Sequence, residues 1–434
     1  MKTLFVSRIS LVSIFIYLIL AIAALCDSDI AHIVGVLLLF LVLVVCDLHD
    51  AVVLLAIFTP NLAILTLSNE GVGLLGLVYL VVFLKFFLMK KIIGRSLGLI
   101  IPFVYLLSIS FVRIIGGNSY DFLILGEVLI VLCLWDCVFR KNDKHLYFSI
   151  YNGFALGCIF MLLGMVLNYL ISNDELSRLK AILDDSNFCS MSFLLLFSCS
   201  LVAVIYKVDV QHPLPNIIIS LLGGLLTGSR GFLLSISVVV LLLSIVGLTN
   251  KRGRKVVLLF FIGIMAVLTL YFAGEKHIVG LYENTIGRTL TLKESYVEGT
   301  FMDVSSGRFF LWNYYMDYLM SHPKILLFGK GFDDYYLSSN GGYKDMCAHN
   351  SFIGSLMGVG IIGTIMIIIS YFTLWTRRFF LRHKNAIAFL SILGGGIVGF
   401  FFLDGILDMR FIMFFVMTVV MYQLYVDNNR SNSI

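Results

Sequence analysis

Short polar groups interrupt an otherwise lipid-soluble chain, and four of them hold residues suited to act on a phosphate or a hydroxyl. Thr227-Gly228-Ser229-Arg230-Gly231 lies between two apolar runs with almost no loop. An arginine there is costly without an anionic partner. Glycines on both sides allow close backbone approach, and the helix that follows begins with free N–H groups and a positive dipole end. That combination suits a phosphate; the plainer alternative is an arginine snorkelling to lipid headgroups. Ser306-Gly307-Arg308 is followed by Trp312, which shares a face with Arg308 if the segment is helical. Phe309, Phe310, Tyr314, Tyr315 and Tyr318 surround that tryptophan. Such rings stack on sugars, or they fill a headgroup belt with no ligand. Arg178 precedes Asp184-Asp185-Ser186-Asn187, whose side chains accept from the free N–H groups of a helix start. Capping explains the cluster but not the arginine. His349-Asn350 stands at the mouth of an apolar helix. Histidine titrates near neutrality and can take a proton from a hydroxyl, although a lone histidine is also commonly structural.

The elements that must position these residues are membrane helices. The chain is 60% hydrophobic and 13% charged, with a mean hydropathy of +0.99, outside the range of soluble domains. A span needs about 20 apolar residues. Candidates run over 4–25, 30–46, 51–67, 71–89, 97–115, 122–139, 146–171, 188–206, 214–228, 231–249, 256–273, 349–375, 386–403 and 409–426. The third contains Pro60 and the ninth is brief, so an all-α polytopic membrane protein of about 12–14 spans is predicted. The period-two alternation of a barrel is absent. The chain divides into N-terminal helices (1–171), helices carrying Arg178 and Arg230 (172–273), one large polar excursion (274–348) and C-terminal helices (349–434).

Orientation follows from the Lys/Arg bias. Lys90-Lys91 with Arg95, Arg140-Lys141 with Lys144, Lys251-Arg252 with Arg254-Lys255, and Arg377-Arg378 with Arg382 and Lys384 fall on one side of the count. That side is predicted to be cytoplasmic, so the large loop faces outward. The short loops on that outward side are acidic or neutral: Asp27-Ser28-Asp29, Ser68-Asn69-Glu70 and the stretch 404–408. These basic clusters also account for the net charge of +5; they touch anionic lipid and give no reason to expect nucleic acid.

The N-terminus has signal-peptide features, Lys2 and Arg8, an apolar run and Ala21-Ile22-Ala23, but it reads as an uncleaved first helix because the run is long and more spans follow. Eight cysteines form no framework and no zinc-type cluster. Neither a metal nor a cofactor is expected. Charges within spans are few. Lys85, Arg113 and Asp136 lie near helix ends, whereas Glu127 is deeper, either functional or an internal polar partner.

The order of motifs resembles the O-antigen polymerase and O-antigen ligase superfamily. It runs Gly228-Ser229-Arg230-Gly231, Ser306-Gly307-Arg308 with Trp312, Leu327-Phe328-Gly329-Lys330-Gly331, then Ala348-His349-Asn350 followed by Gly360-Ile361-Ile362-Gly363. Arg178 with Asp185-Ser186-Asn187 resembles that family's arginine and Asp-Pro-Asn element, with Ser186 in place of the proline. The resemblance covers residues 178–365 and implies glycosyl transfer from a polyprenyl-diphosphate-linked glycan to a sugar hydroxyl outside the cytoplasmic membrane. It implies that Arg178, Arg230 and Arg308 bind the diphosphate, that Trp312 and Asn350 contact substrate, and that His349 is the general base. The implied partners are the lipid-linked oligosaccharide donor and acceptor and membrane lipids; a chain-length regulator and a flippase are candidates. Polymerase and ligase share a donor and differ in acceptor. The span count, the Phe328-Gly329-Lys330-Gly331 loop and the divergent first half favour a polymerase of O-antigen or capsular polysaccharide. A flippase would line a central cavity with its charges, whereas this chain gathers them at one surface.

Overall fold

The computed structural model describes residues 8–26, 28–65, 74–88, 97–115, 120–172, 179–182, 184–247, 254, 308–332, 348–376, 386–403, 405 and 407–431. Arg178, the candidate span 256–273, Asp333-Asp334, Cys347 and most of the polar excursion lie outside the described residues. So do the basic clusters at 90–95 and 377–384.

The described residues form helices and no strand. In chain order these are α1 (Arg8–Leu25), α2 (Asp29–Val45), α3 (Leu48–Phe58), a 3₁₀ segment (Thr59–Leu65), α4 (Leu74–Leu88), α5 (Leu97–Ile115), α6 (Tyr120–Lys141), α7 (Lys144–Ser172), α8 (Ser186–Tyr206), α9 (Pro213–Leu226) and α10 (Arg230–Gly247). After the polar excursion begins come α11 (Arg308–Ser321), α12 (Pro323–Phe328), α13 (Ser351–Thr376), α14 (Ala386–Phe401) and α15 (Met409–Ser431). Six helices among the described residues are long and apolar enough to cross a bilayer, and shorter apolar helices accompany them. The protein is a polytopic all-α membrane protein.

The core is built around α3, α8 and α15, whose apolar residues are buried almost all round. α3 stops at Phe58, just before Pro60, and the chain continues as a 3₁₀ turn with a kink at Asn61. A proline ring removes a backbone donor and crowds the preceding turn. Polar groups of the kinked segment find partners inside the bundle: Asn61 Nδ2 donates to the Gly157 carbonyl at 2.8 Å, and the Ile64 carbonyl lies 2.7 Å from His32 Nε2. Gly157 is required there, since a Cβ would sit 2.1 Å from the Ile57 carbonyl oxygen.

Helix directions sort the loops into two ends. The α6–α7 junction, with Arg140, Lys141 and Lys144, meets the C-terminus of α15, where Lys144 Nζ donates to Asn428 Oδ1 at 2.9 Å. The N-termini of α8, α10, α13 and α15 lie at the other end, tied to one another as described below. Charges expected near helix ends are there: Lys85 bonds the Cys46 carbonyl, and Asp136 pairs with Arg140 one turn on. Glu127 lies on α6 against Gly76 of α4.

α13 is broken at Gly360, with φ 71° and ψ −177°. A helix break leaves carbonyls without partners, which costs several kcal/mol each in an apolar setting. The segment after α12 supplies them. Lys330 N–H donates to the Met357 carbonyl at 2.5 Å and Gly331 N–H to the Gly358 carbonyl at 3.0 Å. Phe332 N–H then donates to the buried Asp121 carboxylate at 2.6 Å. The root of the polar excursion is therefore docked into the helix bundle.

Candidate functional site

The site is built where helices α8, α10, α13 and α15 begin. Each helix start concentrates unpaired N–H groups and a partial positive charge, which favours anions. Their caps come from the local sequence. Asp185 accepts from Asn187 N–H at 2.7 Å and starts α8, as the Asp/Ser/Asn cluster predicts. Asn350 Oδ1 accepts from Phe352 and Ile353 N–H groups at 2.9 and 3.1 Å and starts α13. Asp408 Oδ1 accepts from Arg410 N–H at 2.8 Å at the start of α15. Caps of this kind contribute about 1 kcal/mol each; here they also fix where the neighbouring side chains stand.

Arg230 is the first residue of α10, preceded by Gly228 with φ 60° and by the buried Ser229. Ser229 Oγ donates to Asn187 Oδ1 at 3.2 Å, which joins the α10 start to the α8 start. Leu179 N–H donates to the Leu226 carbonyl at 3.0 Å, so the chain just after Arg178 runs beside the end of α9.

His349 has φ 47°, a left-handed backbone that costs about 1–2 kcal/mol in a non-glycine residue. Its neighbours hold it there. Ala348 is fully buried and its carbonyl accepts from Trp312 Nε1 at 2.8 Å. Asn350 caps the helix, and Ser351 Oγ donates to the Leu403 carbonyl at 2.5 Å while accepting from Gly405 N–H at 3.0 Å. Trp312 packs edge-on to Phe401, with ring centroids 5.4 Å apart, and tilted against Phe402 at 6.0 Å. Arg308 and Trp312 occupy one helix, α11, which meets the condition under which they share a face, with Arg308 at its first position.

The residue that the sequence reading missed is Arg410. It is 7% exposed and makes three charged hydrogen bonds. Nη1 donates to Asp184 Oδ2 at 2.7 Å; Nε and Nη2 fork onto the two oxygens of Asp408 at 3.0 Å each. Its guanidinium carbon stands 4.4 Å over the Phe188 ring. Burial pushes the Asp184 carboxyl above its ordinary range, and Arg410 offsets part of that rise. Asp184 and Arg410 are 226 residues apart, so spacing could not reveal the pair. The one signal was an arginine just after the acidic stretch 404–408, at the start of an apolar helix.

These contacts run unbroken from His349 through Ser351, Gly405, Asp408, Arg410, Asp184, Asp185 and Asn187 to Ser229 and Arg230. They bring Arg230, His349 and Asn350 to one end of the bundle, and the Trp312–Ala348 hydrogen bond adds the helix that begins at Arg308.

Residues 215–368 match the family model described as O-antigen ligase. That match supports the O-antigen polymerase and ligase superfamily. The matched segment takes in Arg230, Arg308, Trp312, His349 and Asn350; Arg178, Asp184, Asp408 and Arg410 fall outside it. No curated protein matches the chain with significant similarity.

For a metal, the described residues offer one convergent group, Asp47, His49 and Asp50, with ligand atoms within 4.8 Å of one another. It sits at the start of α3, where Asp47 already caps the helix through Asp50 N–H. Lys85, near the C-terminal end of α4, bonds beside it, which places it at the basic end of the bundle, away from the candidate site.

Proposed function

We propose that the protein is a membrane glycosyltransferase that joins polyprenyl-diphosphate-linked oligosaccharide repeat units into O-antigen or capsular polysaccharide. On this reading it sits in the bacterial cytoplasmic membrane with the site facing the periplasm. The observation that carries it is the joining of the Arg230 helix start to His349 through continuous contacts, within a segment matched to the O-antigen ligase family.

The chemistry suits those residues. A diphosphate-linked lipid is a good leaving group whose charge needs neutralising more than protonating. Fixed guanidinium groups supply that in a water-poor site more strongly than in bulk. Arg230 and Arg308, with Arg178, take this role. His349 removes the proton from the acceptor hydroxyl. That oxygen forms the new bond to the anomeric carbon as the bond to the diphosphate oxygen breaks, with inversion. Asn350 and Trp312 hold His349 in place: one caps the helix that begins just beyond it, the other fixes the carbonyl before it. A ligase differs in acceptor alone, and the description of the matched family favours keeping that second reading in the test.

Purified protein would be given lipid-linked repeat units in excess chelator, with and without a lipid A-core acceptor. A ladder of products from the repeat units alone is the expected result. Glycan found on lipid A-core alone would identify a ligase. Movement of the lipid-linked units across vesicles without any new glycosidic bond would identify a flippase and overturn the assignment.

A further inference from the structure

Arg410 lies outside the matched segment and outside the chemistry just described, yet it is buried and makes three charged hydrogen bonds. Its three donors are aimed at two carboxylates that belong to different walls of the site. Asp184 directly precedes Asp185, the α8 cap. Through Asp185 and Asn187 that wall reaches Ser229 and Arg230. Asp408 is in the α14–α15 turn. Asp408 N–H donates to the Gly405 carbonyl at 2.9 Å, and Gly405 N–H donates to Ser351 Oγ, two residues after His349. Phe188 of the first wall closes the cluster from the side, stacked on the guanidinium and packed against Phe400 of the second.

A buried cation with two carboxylates is weak evidence for stability. Desolvation of the charges offsets most of their attraction, and apolar replacements of similar volume are often neutral. What such a cluster supplies is a fixed geometry, because the planar fork accepts two oxygens in one arrangement. We propose that Arg410 is a positioning residue that clamps the His349 wall of the site to the Arg230 wall. The proposal rests on the glycosyl-transfer reading for its consequence in rate, though not for its structural content. The hydroxyl activated at His349 must meet an anomeric carbon whose diphosphate is held on the other wall. A misplacement of about 1 Å between such groups costs about 100-fold in rate.

The test uses the full-length protein in nanodiscs. Arg410→Gln alone would leave the buried Asp184 carboxylate without its cation, so it is combined with Asp184→Asn, which keeps the net charge of the cluster while removing the clamp. Three quantities are read: binding of undecaprenyl diphosphate, single-turnover transfer with saturating donor, and the distance between spin labels at Lys180 and Phe352, one on each wall. The double variant is expected to bind undecaprenyl diphosphate near the wild-type affinity, to transfer about 100-fold more slowly, and to show a broadened label distance. Wild-type rate with an unchanged distance overturns the proposal. So does a loss of donor affinity that accounts for the whole loss of rate, since Arg410 would then serve the donor site alone. Should the double variant fail to insert, Arg410→Lys decides, because it keeps the charge and loses the fork. A slower transfer with a broadened distance supports the clamp, and wild-type behaviour overturns it. If the wild type transfers glycan to no acceptor, the proposed function fails, and the label distance alone still judges the clamp.

Discussion

Trp312 donates its indole N–H to the carbonyl of Ala348, the residue before His349, across 2.8 Å. An aromatic that a sequence reader assigns to sugar stacking is therefore also a pin. The two roles separate in Trp312→Phe, which keeps an aromatic face and loses the donor. Leaving the buried Ala348 carbonyl unpaired costs about 1–3 kcal/mol. Turnover is expected to fall about tenfold or more, with the KM for acceptor nearly unchanged. A raised KM with full turnover would assign Trp312 to the sugar instead.

Arg230→Lys and Arg308→Lys keep the charge and lose the bidentate geometry. Each is expected to cut polymer formation about 10- to 100-fold while the protein still inserts, measured as product ladder per inserted protein. Near-normal ladders from both variants would remove the arginines from the diphosphate role.

His349→Ala is expected to lower single-turnover transfer about 100- to 10,000-fold with donor affinity nearly intact. The arginine helix start is joined to α8 by the Ser229–Asn187 hydrogen bond. If donor affinity falls at unchanged turnover, His349 is a binding residue and the base is one of the carboxylates of the outer loops.

Topology has its own check. Ser339→Cys should react with an impermeant maleimide in intact spheroplasts, and Asn142→Cys, at the α6–α7 junction with Arg140, Lys141 and Lys144, should not. The reverse pattern would put the site in the cytoplasm.

Gly360 offers a control on the fold. A Cβ there would lie 2.4 Å from the backbone of Leu327, and the backbone is in a region open to glycine alone. Gly360→Ala should cost more than about 1–3 kcal/mol and lower the thermal midpoint in detergent. Gly126→Ala, which meets nothing within 4 Å, should leave that midpoint unchanged or raised.

The spans were legible because a bilayer forces the chain to satisfy its own backbone, so apolar length alone marks a helix. Ser186 to Tyr206 and Tyr120 to Lys141 were each placed within a few residues on that basis. The Asp185 cap and the shared helix of Arg308 and Trp312 follow from local rules over three or four residues, so they too could be read. Arg410 could not, because its partner in α8's approach is fixed only when α15 packs beside α8. The break at Gly360 was equally hidden. Its stabilising partners are backbone groups of Lys330 and Gly331, and backbone groups carry no sequence signature.

The kink at Asn61 bears on how the chain is made. Its side-chain amide waits for the Gly157 carbonyl, 96 residues later. At ordinary synthesis speeds that partner arrives about 5–20 s after Asn61 itself. Until then the Asn61 side-chain amide has no Gly157 carbonyl to meet, which favours its staying beside the insertion machinery. A nascent chain arrested near residue 150 should still be held there, and one arrested past α7 should be released into the bilayer. The pillar of the finished protein is thus among its last early helices to be sealed, and the ribosome sets the delay.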